Sequence, residues 1–364
     1  MTPPFHPRAS AFTLVEVLVS SVILAAILGF MVTVSDQTSR IMRSTTGKVE
    51  QFRDARTGFE RITTRLSQAT LNTYWDYDSA TAPTRYERRS ELRFVSGDAR
   101  TLLGDNGSRH RLGHCVFFNA PLGLVETDTY RGLGNVLNTV GYFIEFGDDS
   151  LLRPDFITKD IVPLKWRWRL MEFAQPTEEF SVYRYTSGNS GKTYTATTWF
   201  KDAVNATDPT KQIARVMVEN VVALIITPRL PKAEEAPSQG GNSDTSPLAP
   251  DYRYDSTSPG PKGPGGKPDN ALNWKNQLPP IVQVTMVAID EKSADRLALD
   301  DSKWDLPGVS AKFTSTANFT SDLSLDSANV NSLEKKLIAL KAQYRIFTTK
   351  VPIRGAKWSR EQTD

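Results

Sequence analysis

Hydrophobic and polar positions divide the chain into stretches of different period. The first is an apolar run from Phe12 to Val34, FTLVEVLVSSVILAAILGFMVTV, 23 residues without proline. At about 1.5 Å per helical residue, it is long enough to cross a bilayer core of about 30 Å. One carboxylate, Glu16, interrupts it. A charge at that depth costs on the order of 2–3 kcal/mol even on the mildest insertion scales, so Glu16 is read as functional. The alternative is a plain signal anchor in which Glu16 faces water.

From Ser35 to Leu71 the period becomes helical. Ile41, Val49, Phe52, Phe59, Ile62 and Leu66 recur at spacings that suit one helical face. Between them arginines alternate with acids, and Asp36 precedes Arg40 by four residues, the favourable order. Mixed charge of this kind is a solvated helix face rather than a nucleic-acid surface. Gly29, Gly47 and Gly58 are expected to be weak points where the helix bends or locally melts.

After Asn72 the pattern is strand-like. ELRFV (91–95), HCVFFNA (114–120), VGYFIEF (140–146) and LKWRWRLMEF (164–173) are rich in aromatic and branched residues and bounded by turn formers. In the last, Trp166, Trp168 and Leu170 alternate with Lys165, Arg167 and Arg169, which predicts one buried and one solvated face. Residues 181–210 read as a surface excursion rich in Ser, Thr, Gly and Tyr. VVALII, inside the apolar stretch 214–230, predicts a central strand closed by Pro228, after an initial helical turn over 214–220. Residues 231–270, including SPGPKGPGGKPD, predict a disordered insertion. Strands resume at LPPIVQVTMVAID (278–290) and QYRIFTTKV (343–351). A short helix is expected over 293–300 and another over 331–341, capped by Asn331 with Glu334 three residues on.

Composition narrows the picture. The 364 residues carry 44 Lys and Arg against 41 Asp and Glu, a net charge of +3, which gives no overall push toward nucleic acid. A single cysteine, Cys115, excludes an internal disulfide framework, and its apolar neighbours mark it as a buried small residue. The three histidines suggest no metal or triad site, and no phosphate loop or Gly-x-Ser-x-Gly element is present. No enzyme, catalytic residue, cofactor or metal is expected. Asp76, Asp78, Asp148 and Asp149 are carboxylates of the type that suits Ca²⁺, but no twelve-residue loop accompanies them, and ordinary turns are the preferred reading.

The N-terminal residues carry a further signal. Met1 to Ala11 is a short basic leader, set apart from the fold. Ala11-Phe12-Thr13-Leu14-Val15-Glu16 resembles the processing site of type IV prepilins and pseudopilins. The resemblance implies cleavage between Ala11 and Phe12 by a prepilin peptidase and N-methylation of Phe12. That family usually carries Gly where Ala11 stands. Glu16, fifth in the mature chain, would neutralise the Phe12 amino group of a neighbouring subunit. LPPIVQV (278–284) is similar to a strand of the J-type minor pseudopilins of type II secretion. FRDARTGFERITTRLSQATLNTYWDYD (52–78), LPPIVQVTM and YRIFTTKVPIRGAKW (344–358) together resemble the Verru_Chthon cassette protein C family. Pseudopilins of this kind include calcium binders, which leaves the aspartates open.

The resemblance therefore implies an α+β, pilin-like fold. It comprises a leader (1–11), a transmembrane helix (12–34), an amphipathic continuation (35–71) and a β-rich antiparallel head (72–364). It implies a minor pilus or pseudopilus subunit, inserted in the inner membrane with a cytoplasmic N-terminus and a periplasmic head, then extracted into a filament. Its expected partners are the prepilin peptidase, other pilin or pseudopilin subunits and membrane lipid, with no nucleic acid. The alternative is a pilin-anchored module that binds a surface or cargo through exposed aromatics, for which Trp75, Tyr77 and Trp199 are the candidates.

Overall fold

The computed structural model describes residues 14–358, apart from 80, 106, 108, 151, 155, 158–159, 183–196, 207–212, 232–247 and 261–272, and side chains of 40–41 and 43–51. Much of the predicted 231–270 insertion therefore lies outside the described residues. The chain divides into two compact units, Met1–Gln51 and Phe52–Asp364.

In the first unit, helix α1 (Leu14–Leu66, which runs on into the second) begins with an apolar, exposed surface. Leu14–Ser39 is long and apolar enough to span a membrane, and none of its most hydrophobic window is buried against protein.

The second unit is α+β. Along the chain come β1 (Tyr74–Tyr77), β2 (Tyr86–Arg89), β3 (Phe94–Asp98), α2 (Ala99–Leu103), β4 (His110–Pro121), β5 (Leu137–Gly147) and β6 (Arg167–Gln175). They are followed by α3 (Thr198–Val204), β7 (Ala214–Glu219), β8 (Val221–Arg229), β9 (Tyr254–Asp255), β10 (Ile281–Ile289), α4 (Glu291–Leu297), α5 (Phe319–Leu323), α6 (Leu333–Ala339) and β11 (Tyr344–Pro352). The described strands form a large sheet in the order β7-β6-β5-β4-β3-β9, a small sheet β11-β10-β8, and the hairpin β1-β2, all antiparallel.

The large sheet is covered on both faces, which explains its run-on hydrophobicity. Val116, Phe118, Tyr142, Ile144, Trp168 and Leu170 face a core shared with the small sheet and with Ala55, Phe59, Ile62 and Leu66 of α1. Cys115, Phe117, Phe143, Met171 and Phe173 face the opposite core, filled by Leu102 and Leu103 of α2 and Trp199 and Phe200 of α3. Strands buried on two faces lose the simple period of two.

That double burial corrects the reading of 164–173. Arg167 and Arg169 are buried, not solvated. Burial of a guanidinium requires partners. Arg167 pairs with Glu291 (2.8 Å) and Asp295 of α4. Arg169 donates to the carbonyls of Gly147 (3.0 Å) and Asp148 (2.8 Å) and pairs with Glu219.

The stretch 214–230 also differs from expectation. Residues 214–219 form a strand of the large sheet, not a helical turn, and 221–229 belong to the small sheet, with Pro228 inside the strand. Asn220, at φ 63°, makes the corner. Asn tolerates this left-handed backbone better than most residues. Its N–H donates to Trp168 O (2.6 Å) and its carbonyl accepts from Ile289 N (2.9 Å), one bond to each sheet.

Four further expectations change. The insertion is not wholly without structure: Leu248, Ala249, Tyr252 and Tyr254 are buried, and β9 pairs with β3. Helix α1 ends at Leu66 rather than Leu71. Gly58 is a spacer, since a Cβ there would collide with Val218 Cγ2. Helix α6 starts after Ser332 as its N-cap residue, not Asn331, and Glu334 accepts from Leu325 N and Tyr344 Oη.

Candidate functional site

The sequence placed the functional residues in two regions, one in each unit. In the first, Ala11 and Phe12 lie outside the described residues. Glu16 is an exposed residue of α1 whose carbonyl accepts from Ser20 Oγ (2.6 Å). Around it Leu14, Val15, Val17, Leu18, Val22 and Ile23 are all exposed. So large an apolar surface requires a lipid or protein environment.

In the second unit, the three candidate aromatics separate. Trp199 is fully buried, packed edge-on against Phe200 in the core beneath α3, and offers nothing to a ligand. The excursion 181–210 had disguised a short core helix. Trp75 and Tyr77 are 59% and 47% exposed, on β1. Side chains two apart on a strand share a face. The register pairs Trp75 with Arg88 and Tyr77 with Tyr86. Tyr77 and Tyr86 stack at 4.8 Å, and the Arg88 guanidinium lies over Trp75 at 5.6 Å. One face of the hairpin is thus an exposed aromatic surface with a cationic edge. Sequence reasoning missed Tyr86 and Arg88, because YERR is short and charged. Its one usable signal is the second strand-length run after a turn.

Of the candidate aspartates, Asp76 lies on β1, where it accepts from Tyr77 N (2.8 Å) and lies 3.8 Å from Arg89, and the other three serve loops. Asp78 accepts from Ser79 N (2.9 Å), Thr84 N (2.9 Å), Thr84 Oγ1 and Arg85 N, closing the turn of the hairpin. The Thr84 hydroxyl, with the backbone donors, holds its carboxyl far below the usual range. Asp148 accepts from Ser150 N and Oγ, and Asp149 from Lys165 N while pairing with Arg153. Among the described residues no group of three His, Cys, Asp or Glu side chains is arranged to hold a metal ion.

His110 and His114 do not converge. His110 contacts Asp301 (3.0 Å) and stacks on Trp304. His114 is buried: Nε2 donates to Phe313 O (3.0 Å) and Nδ1 accepts from Ile226 N (3.2 Å). Burial pushes its pKa below the ordinary value of 6.5. Cys115 is buried, and burial pushes its thiol up, so it is not a thiolate nucleophile.

Residues 6–32 match the family model of the prokaryotic N-terminal methylation motif. The match covers the candidate cleavage point, Glu16 and most of the apolar run. It supports a type IV pilin-like protein, a substrate of prepilin peptidase anchored in the membrane by its N-terminal helix. No curated protein and no solved structure matches the chain.

Proposed function

We propose that this protein is a minor subunit of a type IV pilus or of a type II secretion-like filament. It is cleaved between Ala11 and Phe12, methylated on Phe12 and assembled through α1. The observation that carries this reading is the coincidence of two features: the methylation motif over 6–32 and an exposed apolar helix from Leu14 to Ser39. Within a bundle of such helices, Glu16 of one subunit neutralises the Phe12 amino group of the next. An unpaired charge there is costly, so the pair selects register. Minor status is argued from bulk. The unit Phe52–Asp364 is large for a densely repeated filament and suits a position with few neighbours. The proposed setting is the inner membrane, with the head periplasmic, and the partners are the peptidase, other pilin or pseudopilin subunits and lipid. The proposal includes no catalytic step and no nucleic acid.

The intact mass of the protein from membranes, with and without prepilin peptidase, tests this. The expected result is loss of residues 1–11 and gain of one methyl group on Phe12. A Glu16→Ala chain should then be processed but enter filaments poorly. An uncut chain, or a cut after the apolar run, sinks the proposal.

The hairpin favours a second reading, a pilin-anchored binding module. Trp75→Ala with Tyr77→Ala should abolish capture of a surface or cargo and leave filament assembly intact. Unchanged capture would remove this reading without touching the first.

A further inference from the structure

A cleft of about 350 Å³ opens at one end of the large sheet, between α2, the Arg111–His114 segment of β4, residues 251–253 and the loop 310–314. Its size falls within the range of small-molecule sites. Four cations line it, Arg100, Arg111, Arg253 and Lys312, against two acids, Asp98 and Asp251. The acids are occupied by local donors. Asp98 accepts from Thr101 N and Oγ1, both at 2.7 Å, and Asp251 accepts from Arg253 N at 3.2 Å. Among the cations, Arg100 already pairs with Asp105 at 3.0 Å. Arg111 is buried and pairs with Glu145, and its Nη2 reaches Asn205 Oδ1 (3.4 Å), yet its Nε has no hydrogen-bond partner among the described residues. Orphaned buried donors are uncommon in folded proteins and call for an explanation. Arg253 is exposed and forms no ion pair among the described residues. Lys312 donates to Gly308 O (2.7 Å). Burial and the nearby Lys336 disfavour the Lys312 charge, and Asp305 and Asp322 offset them only in part, so a further anion would favour it.

The walls are held in strained conformations. Phe313, which lines the cleft, has φ 57°, and Tyr252, between Asp251 and Arg253, has φ 62°. A bulky residue in this region is a genuine outlier, and such outliers concentrate at ligand clamps. One buried side chain fixes both: His114 donates to Phe313 O and packs its ring against Tyr252 at 4.6 Å. Gly113 beside it, at φ 61°, lies so close to β8 that a Cβ would sit 2.8 Å from Leu224 O. The floor is therefore rigid and preformed.

We propose that this cleft binds a small organic anion. Arg253 and Lys312 hold its carboxylate or phosphate, the unpartnered Nε–H of Arg111 adds a hydrogen bond, and Leu102 and Phe313 cover its uncharged body. Guanidinium groups suit both oxyanions, because their forked donors match two oxygens at once. The proposal rests on the head alone and stands whether or not the N-terminus is processed.

The test uses the full chain in detergent, with glucuronate and glucose 1-phosphate as probes and glucose as the uncharged control. Both arms are followed by calorimetry and by the shift in Tm, at constant ionic strength. At least one charged probe should bind and raise Tm, glucose should not, and the stronger probe identifies the oxyanion. Arg253→Ser, on an exposed side chain, should weaken binding at least tenfold while leaving the Tm of the free protein unchanged. Lys312→Gln should do the same independently. Arg131→Ser, at the exposed Arg131–Asp128 pair, should have no effect. Absence of binding by both charged probes, equal binding of glucose, or binding unaffected by both cleft variants would overturn the proposal.

Discussion

At the corner between the two sheets, Asn220 combines three demands that few residues meet together. The backbone must be left-handed, the residue must be buried, and a side-chain donor must reach Glu291 Oε2 (2.6 Å). Asn220→Gly keeps the backbone but loses the donor, and Asn220→Val loses both. Urea unfolding should place the variants in that order, with the valine protein less stable by about 2–4 kcal/mol. His114 is the second such residue. Folded, it is held neutral, one nitrogen donating and the other accepting. Its folded pKa lies below the unfolded value near 6.5, so its contribution is complete above that value. The contribution is lost as pH falls below 6.5 toward the folded pKa, by up to about 1.4 kcal/mol per pH unit. Stability should therefore decline as pH falls below about 6.5, before most carboxylates titrate. His114→Gln should be less stable at neutral pH but flat across that window. If the wild type is equally flat, the assigned protonation is wrong.

Among elements, the joint between α1 and the large sheet depends on one carboxylate. Arg61 approaches Glu172 of β6 with two nitrogens, at 3.1 and 2.8 Å, and Arg65 lies at 2.5 Å. Tyr142 Oη donates to the same group at 3.0 Å. Glu172→Ala strands Arg65, which is largely buried, and should cost about 2–4 kcal/mol in denaturant midpoint experiments. Arg61→Ala, half exposed, should cost well under half as much. None of this pairing is legible along the chain. The period-two reading marked where strands lie, and HCVFFNA and VGYFIEF fall inside β4 and β5. It could not tell that α2 and α3 cover the second face. Arg167 and Arg169 were therefore read as solvated when acids far along the chain neutralise them. For the same reason Trp199, set among Ser and Thr, passed for a surface residue. Composition likewise hid Tyr252 and Tyr254, because a Pro- and Gly-rich context dominates any local window. The helical stripe of α1 was legible because Phe59, Ile62 and Leu66 keep one period and one partner surface. Of the candidate site, the motif at Ala11, Phe12 and Glu16 is linear and was readable. The aromatic hairpin face needed a cross-strand register that sequence does not print.

For the whole molecule, the division near Gln51 separates two solvent requirements. Residues 14–34 present an exposed apolar surface among the described residues, whereas Ala55, Phe59, Ile62 and Leu66 fill the core of the head. A chain starting at Phe52 should therefore be soluble without detergent and unfold in one cooperative transition. A chain starting at Ser67 removes four core side chains together with Arg61 and Arg65. Loss of one large buried apolar side chain costs about 2–5 kcal/mol, so the combined loss exceeds the net stability of an ordinary domain. That shorter chain should be recovered aggregated, or in a state that keeps far-UV ellipticity while losing near-UV signal from its buried tryptophans. Differential scanning calorimetry and near-UV circular dichroism of the two chains decide the matter. If the Ser67 chain melts cooperatively near the temperature of the longer one, α1 is an appendage to the head rather than part of its core. If the Phe52 chain still needs detergent, the head carries an apolar surface beyond the N-terminal run. The exposed hairpin aromatics Trp75, Tyr77 and Tyr86 would then be the first residues to exchange for serine.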